Sequence, residues 1–326
     1  MLPAVWEAGM PFGRGRGRYA QIDDVILRAR AFPPGDYRRW QVIAELATAE
    51  FKPAFERGAA LLRTSEPESM TLGAEIFDEL FIGMREGRRF VGEAEQILLE
   101  VCRPAQHPEV LAAALNPYAQ VSRDPQPLLL DFLDHPDARV RRTAAQLVAS
   151  GGGEFADDRQ VDTLIALLDR DPDPGVREQA ADGLELILSC YMYVAQRPRI
   201  TDALAGRLDD PNPVIRASAV VGGGVLDIGA AVRQLVTELA VPRPAWQFVD
   251  AFNRLTQIDD CGAELRADAH QALLRLKAQD WPQDADPARF PIASERSDML
   301  EKALDVTSAD RRPAPTGRRQ AFRLRR

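Results

Sequence analysis

Three stretches of this 326-residue chain share one frame from a proline onward: LDHPDARVRRTA, LDRDPDPGVREQA and LDDPNPVIRASA. Each holds a proline, then Val or Ile four residues on, Arg at five and Ala at eight. The copies are Pro136–Val140–Arg141–Ala144, Pro172–Val176–Arg177–Ala180 and Pro211–Ile215–Arg216–Ala219. Their arginines lie 36 and 39 residues apart. A period of about 40 built from two helices marks a stack of helical hairpins. The Asp-Pro cluster ends one helix, because proline disfavours helical geometry in the residue before it. Leu130, Phe132 and Leu133 close the first helix of one copy, as Leu164, Leu167 and Leu168 do in the next. Val140, Ala144 and Leu147 then open the buried stripe of a second helix. The alanine lets neighbouring helices approach closely. One hairpin cannot bury its apolar stripe alone, so neighbours must stack.

Weaker copies extend the array. An opening hairpin is expected near residues 21–48, a turn at Pro67 with Ser69 and Met70 in the Val-Arg places, and a further helix from His107. Downstream, residues 229–239 and 244–256 form another pair, and 262–279 a closing helix with Leu265, Leu273, Leu274 and Leu276 as its apolar positions. The expectation is an all-α chain of about seven hairpins over residues 21–280. Residues 1–20 read as an Arg/Gly arm around Gly13, Gly15 and Gly17, and 281–326 as a mostly disordered tail with a short helix at 294–305 capped by Ser294.

The turn Asp-Pro followed by Val-Arg and a small residue resembles the HEAT family and its bacterial, bilin-lyase-type HEAT-like branch. The resemblance covers residues 21–279. It implies a right-handed α-α superhelix whose second helices line the concave face. It also implies a ladder in which a turn Asp bonds around the Arg six residues later. Asp171–Arg177 and Asp210–Arg216 fit that pattern; before Arg141 the Asp is replaced by His135, where a break in the ladder is expected. The family hosts scaffolds, lyases and DNA glycosylases, so the fold implies no single activity.

Charge narrows the partners. Net charge is −8, but ten arginines sit in residues 11–20 and 311–326, leaving −18 on the rest. Phosphate contacts need surplus Lys and Arg on the docking face, so nucleic acid is expected only through the two arms. A protein with a basic surface suits the body better. Glu178, Asp182 and Glu185 share one face of the helix after Pro174, and Glu75, Asp78 and Glu79 take similar places in an earlier copy. These read either as an acidic groove or as merely solvated helix faces.

Catalytic signals are sparse. His107, His135 and His270 are scattered, no HExxH or CxxC occurs, and neither a metal nor a cofactor is expected. Cys102, Cys190 and Cys261 have no disulfide or metal spacing and fit a cytoplasmic chain. No run approaches the roughly 20 apolar residues of a membrane span. Trp246, Asp250 and Arg254 fall at i, i+4 and i+8 of one helix. In a HEAT-like glycosylase such residues would stack on a base, stabilise a sugar cation and hold phosphate. The alternative has Trp246 packing beside Phe248 and Phe252, with Asp250–Arg254 an i,i+4 pair worth about 0.3–0.5 kcal/mol. The leading expectation is a non-enzymatic interaction module (scaffold, regulator or immunity-type inhibitor) using the acidic residues and Trp246. The alternative is an enzyme, a DNA glycosylase with Asp250 as its catalytic carboxylate or a bilin lyase subunit.

Overall fold

A computed structural model describes residues 16–82, 87–103, 106–151, 158–190, 195–224, 226–255, 258–279, 281 and 293–308. The Gly13–Gly15 stretch and the terminal arginine run lie outside the described residues. The secondary structure of the described residues is all helical, and the chain divides into two compact units, 1–124 and 125–326. No helix among the described residues is long and apolar enough to cross a membrane.

The first unit holds three hairpins: α1 (Arg16–Ala29) with α2 (Tyr37–Ile43), α3 (Phe51–Leu62) with α4 (Pro67–Phe81), and α5 (Val91–Val101) with α6 (Pro108–Val121). Its centre is a nest of five phenylalanines, Phe51, Phe55, Phe77, Phe81 and Phe90, with ring centroids 4.8–6.4 Å apart. Edge-on and offset contacts suit the ring quadrupoles. Two glycines let α3 and α4 cross above this nest. A methyl on Gly73 would stand 2.8 Å from the Gly58 carbonyl oxygen, closer than carbon and oxygen tolerate.

The described residues of the second unit form five hairpins. They are α7 (Gln126–Asp131) with α8 (Ala138–Gly151), α9 (Asp158–Arg170) with α10 (Pro174–Cys190), α11 (Arg197–Ala205) with α12 (Pro213–Gly224), α13 (Ile228–Glu238) with α14 (Trp246–Arg254), and α15 (Ala263–Ala278) with α16 (Ala293–Thr307). Val140, Ala144, Val176, Ala180, Ile215 and Ala219 of the repeat frame are all fully buried. The stripe of α8 continues through buried Val148, and Leu147 is only half-buried, because one residue is a 100° rotation on a helix. Leu274 likewise faces outward.

The short helix read at 294–305 is the second half of an eighth hairpin. Leu300, Ala303 and Leu304 enter one core cluster with Phe248, Phe252, Leu273 and Leu276. Asn253 donates to the Met299 carbonyl at 3.1 Å, and the His270 ring meets the Thr307 hydroxyl at 3.0 Å. α15 is therefore paired with α16.

The repeat arginines bind backbone first. Nη1 of Arg141 donates to the carbonyls of His135 and Pro136 at 2.8 and 3.1 Å. Arg177 does the same to Asp171 and Pro172, at 2.8 and 3.3 Å, and Arg216 to Asp210 and Pro211, at 2.8 and 3.2 Å. The side chain six residues upstream is thus not the arginine's acceptor, and His135 causes no break. That side chain instead locks the turn. His135 Nδ1 accepts the Asp137 N–H at 3.1 Å, where Asp171 and Asp210 accept from Asp173 and Asn212 at 2.9 Å.

The carboxylates of the ladder come from farther along the chain. Arg141 Nε and Nη2 form a bidentate pair with Asp171 of the next hairpin, both at 2.8 Å, and Arg216 reaches Glu238 at 2.9 and 3.0 Å. In the first unit Arg39, 1% exposed, repeats the arrangement with the Phe32 carbonyl at 3.0 Å and Glu75 at 2.7 Å. Burial pushes the Asp171 carboxyl up, but the bonds from Arg141 and the Asp173 amide hold it below its usual range.

Two substitutions separate these roles. Arg141→Ala strands a carboxylate whose side chain is 4% exposed and should cost about 3 kcal/mol in urea denaturation, whereas Arg177→Ala should cost about 1 kcal/mol. Equal costs would refute the inter-hairpin rung. Leu304→Ala should cost about 2–4 kcal/mol if α16 is core, and close to nothing if it is a tail element.

Candidate functional site

The second helices α4 and α10 carry the acidic residues, and each presents them toward the next second helix. On α10, Glu178, Asp182 and Glu185 are spaced four and three residues apart and share one face. Glu178 accepts from the Asn212 amide at 2.7 Å, and Asp182 accepts a short hydrogen bond from the Ser218 hydroxyl, both on or beside α12. Glu185 accepts from Ser189 at 2.7 Å.

Arg254 of α14 closes this face. Its Nη1 lies 2.7 Å from Glu185 and 3.8 Å from Asp182, and its Nε 3.3 Å from Asp250. One guanidinium thus meets three carboxylates. Burial raises the Asp182 and Glu185 carboxyls above their usual range, against the pull of Arg254. Burial works against the Arg254 charge, but the carboxylates outweigh it, and the guanidinium stays protonated.

The face on α4 is differently compensated. Glu75 is held by Arg39, and Asp78 accepts from the Gln120 amide of α6 at 2.5 Å. No cation among the described residues pairs with Asp78 or Glu79. Burial, with the Glu79 and Glu75 charges beside it, pushes the Asp78 carboxyl up to about 6. Burial raises Glu75 and Glu79 as well; Arg39 opposes that rise at Glu75, and Glu109 adds to it.

All six carboxylates read from the sequence lie on these two faces and are half-buried, except Glu185, which is buried. They are not freely solvated, and five of them have internal partners. Trp246 is half-buried at the start of α14, and the Phe248 ring is covered by the Arg216 guanidinium at 5.3 Å. Asp250 and Arg254 form the expected i,i+4 pair, but Arg254 is turned onto α10. The phosphate-holding role that a glycosylase would require of it is filled by carboxylates. Among the described residues no group of three or more His, Cys, Asp or Glu could hold a metal ion. Burial pushes the Cys102 thiol up to about 12, so Cys102 is not a thiolate at neutral pH.

Sequence reasoning missed Arg254 as the α10 counter-ion, because 69 residues separate it from Glu185 and no local pattern links them. It also missed Arg39, Gln120, Asn212 and Ser218. Only Arg39 had a readable signal, its place after the Pro-Pro-Gly-Asp turn.

Stacked helical hairpins bound by turn arginines define a helical-repeat protein. A family profile described as HEAT repeats matches residues 95–185 and 126–222, so HEAT repeats are detected in this central part of the chain. It is 28% identical over 154 residues to the uncharacterized phycocyanin operon protein Z of Pseudanabaena tenuis, across 47% of this chain and 71% of that protein. The X-ray structure of Escherichia coli YibA matches with a TM-score of 0.51 and 16% identity, over 90% of this chain and 98% of that one, a likeness of fold alone.

Asp78 supplies a test of the α4 face. A carboxyl raised in the folded state contributes stability below its unfolded value, near 4, and that contribution is lost as pH rises through about 6. Asp78→Asn should therefore stabilise the chain by about 1 kcal/mol at pH 7 and by much less at pH 4. Thermal melts at the two pH values check this; equal shifts would mean Asp78 titrates normally.

Proposed function

We propose that the chain is a non-enzymatic interaction module of the cytoplasm, which binds a basic protein through the carboxylate faces of its second helices. One observation carries the reading: both units set partly accessible carboxylates on the same side of a second helix, with fewer cations than anions. Such a surface attracts positive charge and repels phosphate, which favours a basic polypeptide over nucleic acid. Partly desolvated carboxylates also bind a cation more strongly than solvated ones do.

The test needs substitutions that spare the ion pairs with Arg39 and Arg254, so Glu75, Asp182 and Glu185 are left intact. Glu79→Lys with Glu178→Lys, which gives up only the bond from Asn212, should leave the melting transition within about 1.5 kcal/mol of the parent. A partner purified on the parent chain and then reconstituted with it should bind the double variant about tenfold more weakly. Retention of nucleic acid alone, unchanged in the variant, would reject the reading.

The similarity to a phycocyanin operon protein supports a second reading, a bilin lyase subunit. Incubation with phycocyanobilin and apo-phycocyanin should then yield absorbance that survives denaturation, and its absence would reject that reading.

A further inference from the structure

We infer that His135 is a pH-operated lock on the turn between α7 and α8, closed by a neutral imidazole and opened by a charged one. The inference needs no partner and goes beyond the binding reading above.

Three turns of the second unit share a hydrogen bond from a backbone N–H to a side chain two residues earlier. Asp171 accepts it from Asp173 and Asp210 from Asn212, both at 2.9 Å, and His135 Nδ1 accepts it from Asp137 at 3.1 Å. A backbone N–H can only donate, so Nδ1 must present its lone pair and the proton of the neutral ring must sit on Nε2. A protonated imidazole carries N–H donors on both nitrogens and accepts nothing. Charging the ring therefore opens the bond. Histidine is the side chain that ordinarily titrates between about pH 5 and 8, whereas a carboxylate keeps its charge down to roughly pH 4. Mild acid thus opens the His135 turn and leaves the two aspartate turns closed.

The groups around His135 decide where the charged ring goes. In its own hairpin these are Asp134, Asp137, Arg139 and Arg141, and the following turn adds Asp171 and Asp173, which bind Arg141 and Arg142. Arg139 bonds both oxygens of the Asp137 carboxylate and, with His135 adding to its pull, holds that carboxyl down to about 2. A charged ring gains attraction to this carboxylate as it loses the Asp137 N–H, so the two ring states favour different turns. The same turn anchors a rung of the ladder. Arg141 Nη1 donates to the His135 and Pro136 carbonyls while its other nitrogens hold Asp171 of the next hairpin. Opening the turn shifts the carbonyls that aim Arg141, so a proton taken up at His135 loosens α8 against the hairpin beyond it.

The experiment is backbone amide exchange, read by NMR on the full chain at pH 7 and pH 5, with the intrinsic rate at each pH divided out. Protection of the Asp137 amide should fall about tenfold on going to pH 5, while Asp173 and Asn212 keep theirs. Ring nitrogen shifts should show His135 with its proton on Nε2 at pH 7. His135→Asp installs the residue of the other two turns and should keep Asp137 protected at both pH values. Loss of Asp137 protection at pH 5 in that variant, or an equal loss at Asp173 and Asn212 in the parent, overturns the lock, because acid is then acting elsewhere. Unchanged Asp137 protection in the parent, or a proton on Nδ1 at pH 7, overturns it as well. If His135→Asp fails to fold, the parent's Asp137 against Asp173 and Asn212 decides alone.

Discussion

A guanidinium that bonds the carbonyls of its own turn and a carboxylate of the next hairpin is the joint of this structure. A tight turn that ends a helix leaves carbonyl groups without intrahelical donors. Arginine answers that need with Nη1, and its remaining nitrogens stay free to point along the stack. One side chain thus fixes the angle within a hairpin and the register to its neighbour. Arg141 does both through Asp171, Arg216 through Glu238 and Arg39 through Glu75. The partner differs each time, Asp or Glu at different distances along the chain, because the carbonyl contact sets the geometry and any nearby carboxylate completes it.

The same logic produces the acidic faces. Second helices packed side by side leave a seam where polar side chains are half-removed from water, so each carboxylate there needs a donor. The second unit supplies Asn212, Ser218 and Arg254; the first supplies Gln120 and Arg39. The count is less complete in the first unit, and the surplus negative charge gathers around Asp78. A surface that is structurally under-compensated is also the surface best able to take a cation from outside.

How much of this was legible depended on sequence distance. Val140, Val176 and Ile215 announced their burial because a 3.6-residue period is written locally, and Pro-Asp turns mark helix ends for equally local reasons. The ladder was half-legible. The arginines were found, but their acceptor was assigned to the upstream Asp side chain, when a backbone carbonyl that every residue possesses accepts the bond. The α16 helix was recognised, yet its place in the core was not, since Leu300, Ala303 and Leu304 form a short stripe after a long stretch without pattern.

The sequence alone determined the repeat, its helical period, the residues that face the core in the central copies, and the overall excess of negative charge. All of these follow from side-chain types a few positions apart. Tertiary structure decided which charges remain available. Arg254 lies 69 residues from the Glu185 it binds, and Arg39 lies 36 from Glu75. An ion pair forms wherever two side chains meet after the hairpins have stacked, and that meeting depends on the packing of whole helices, which no local spacing encodes.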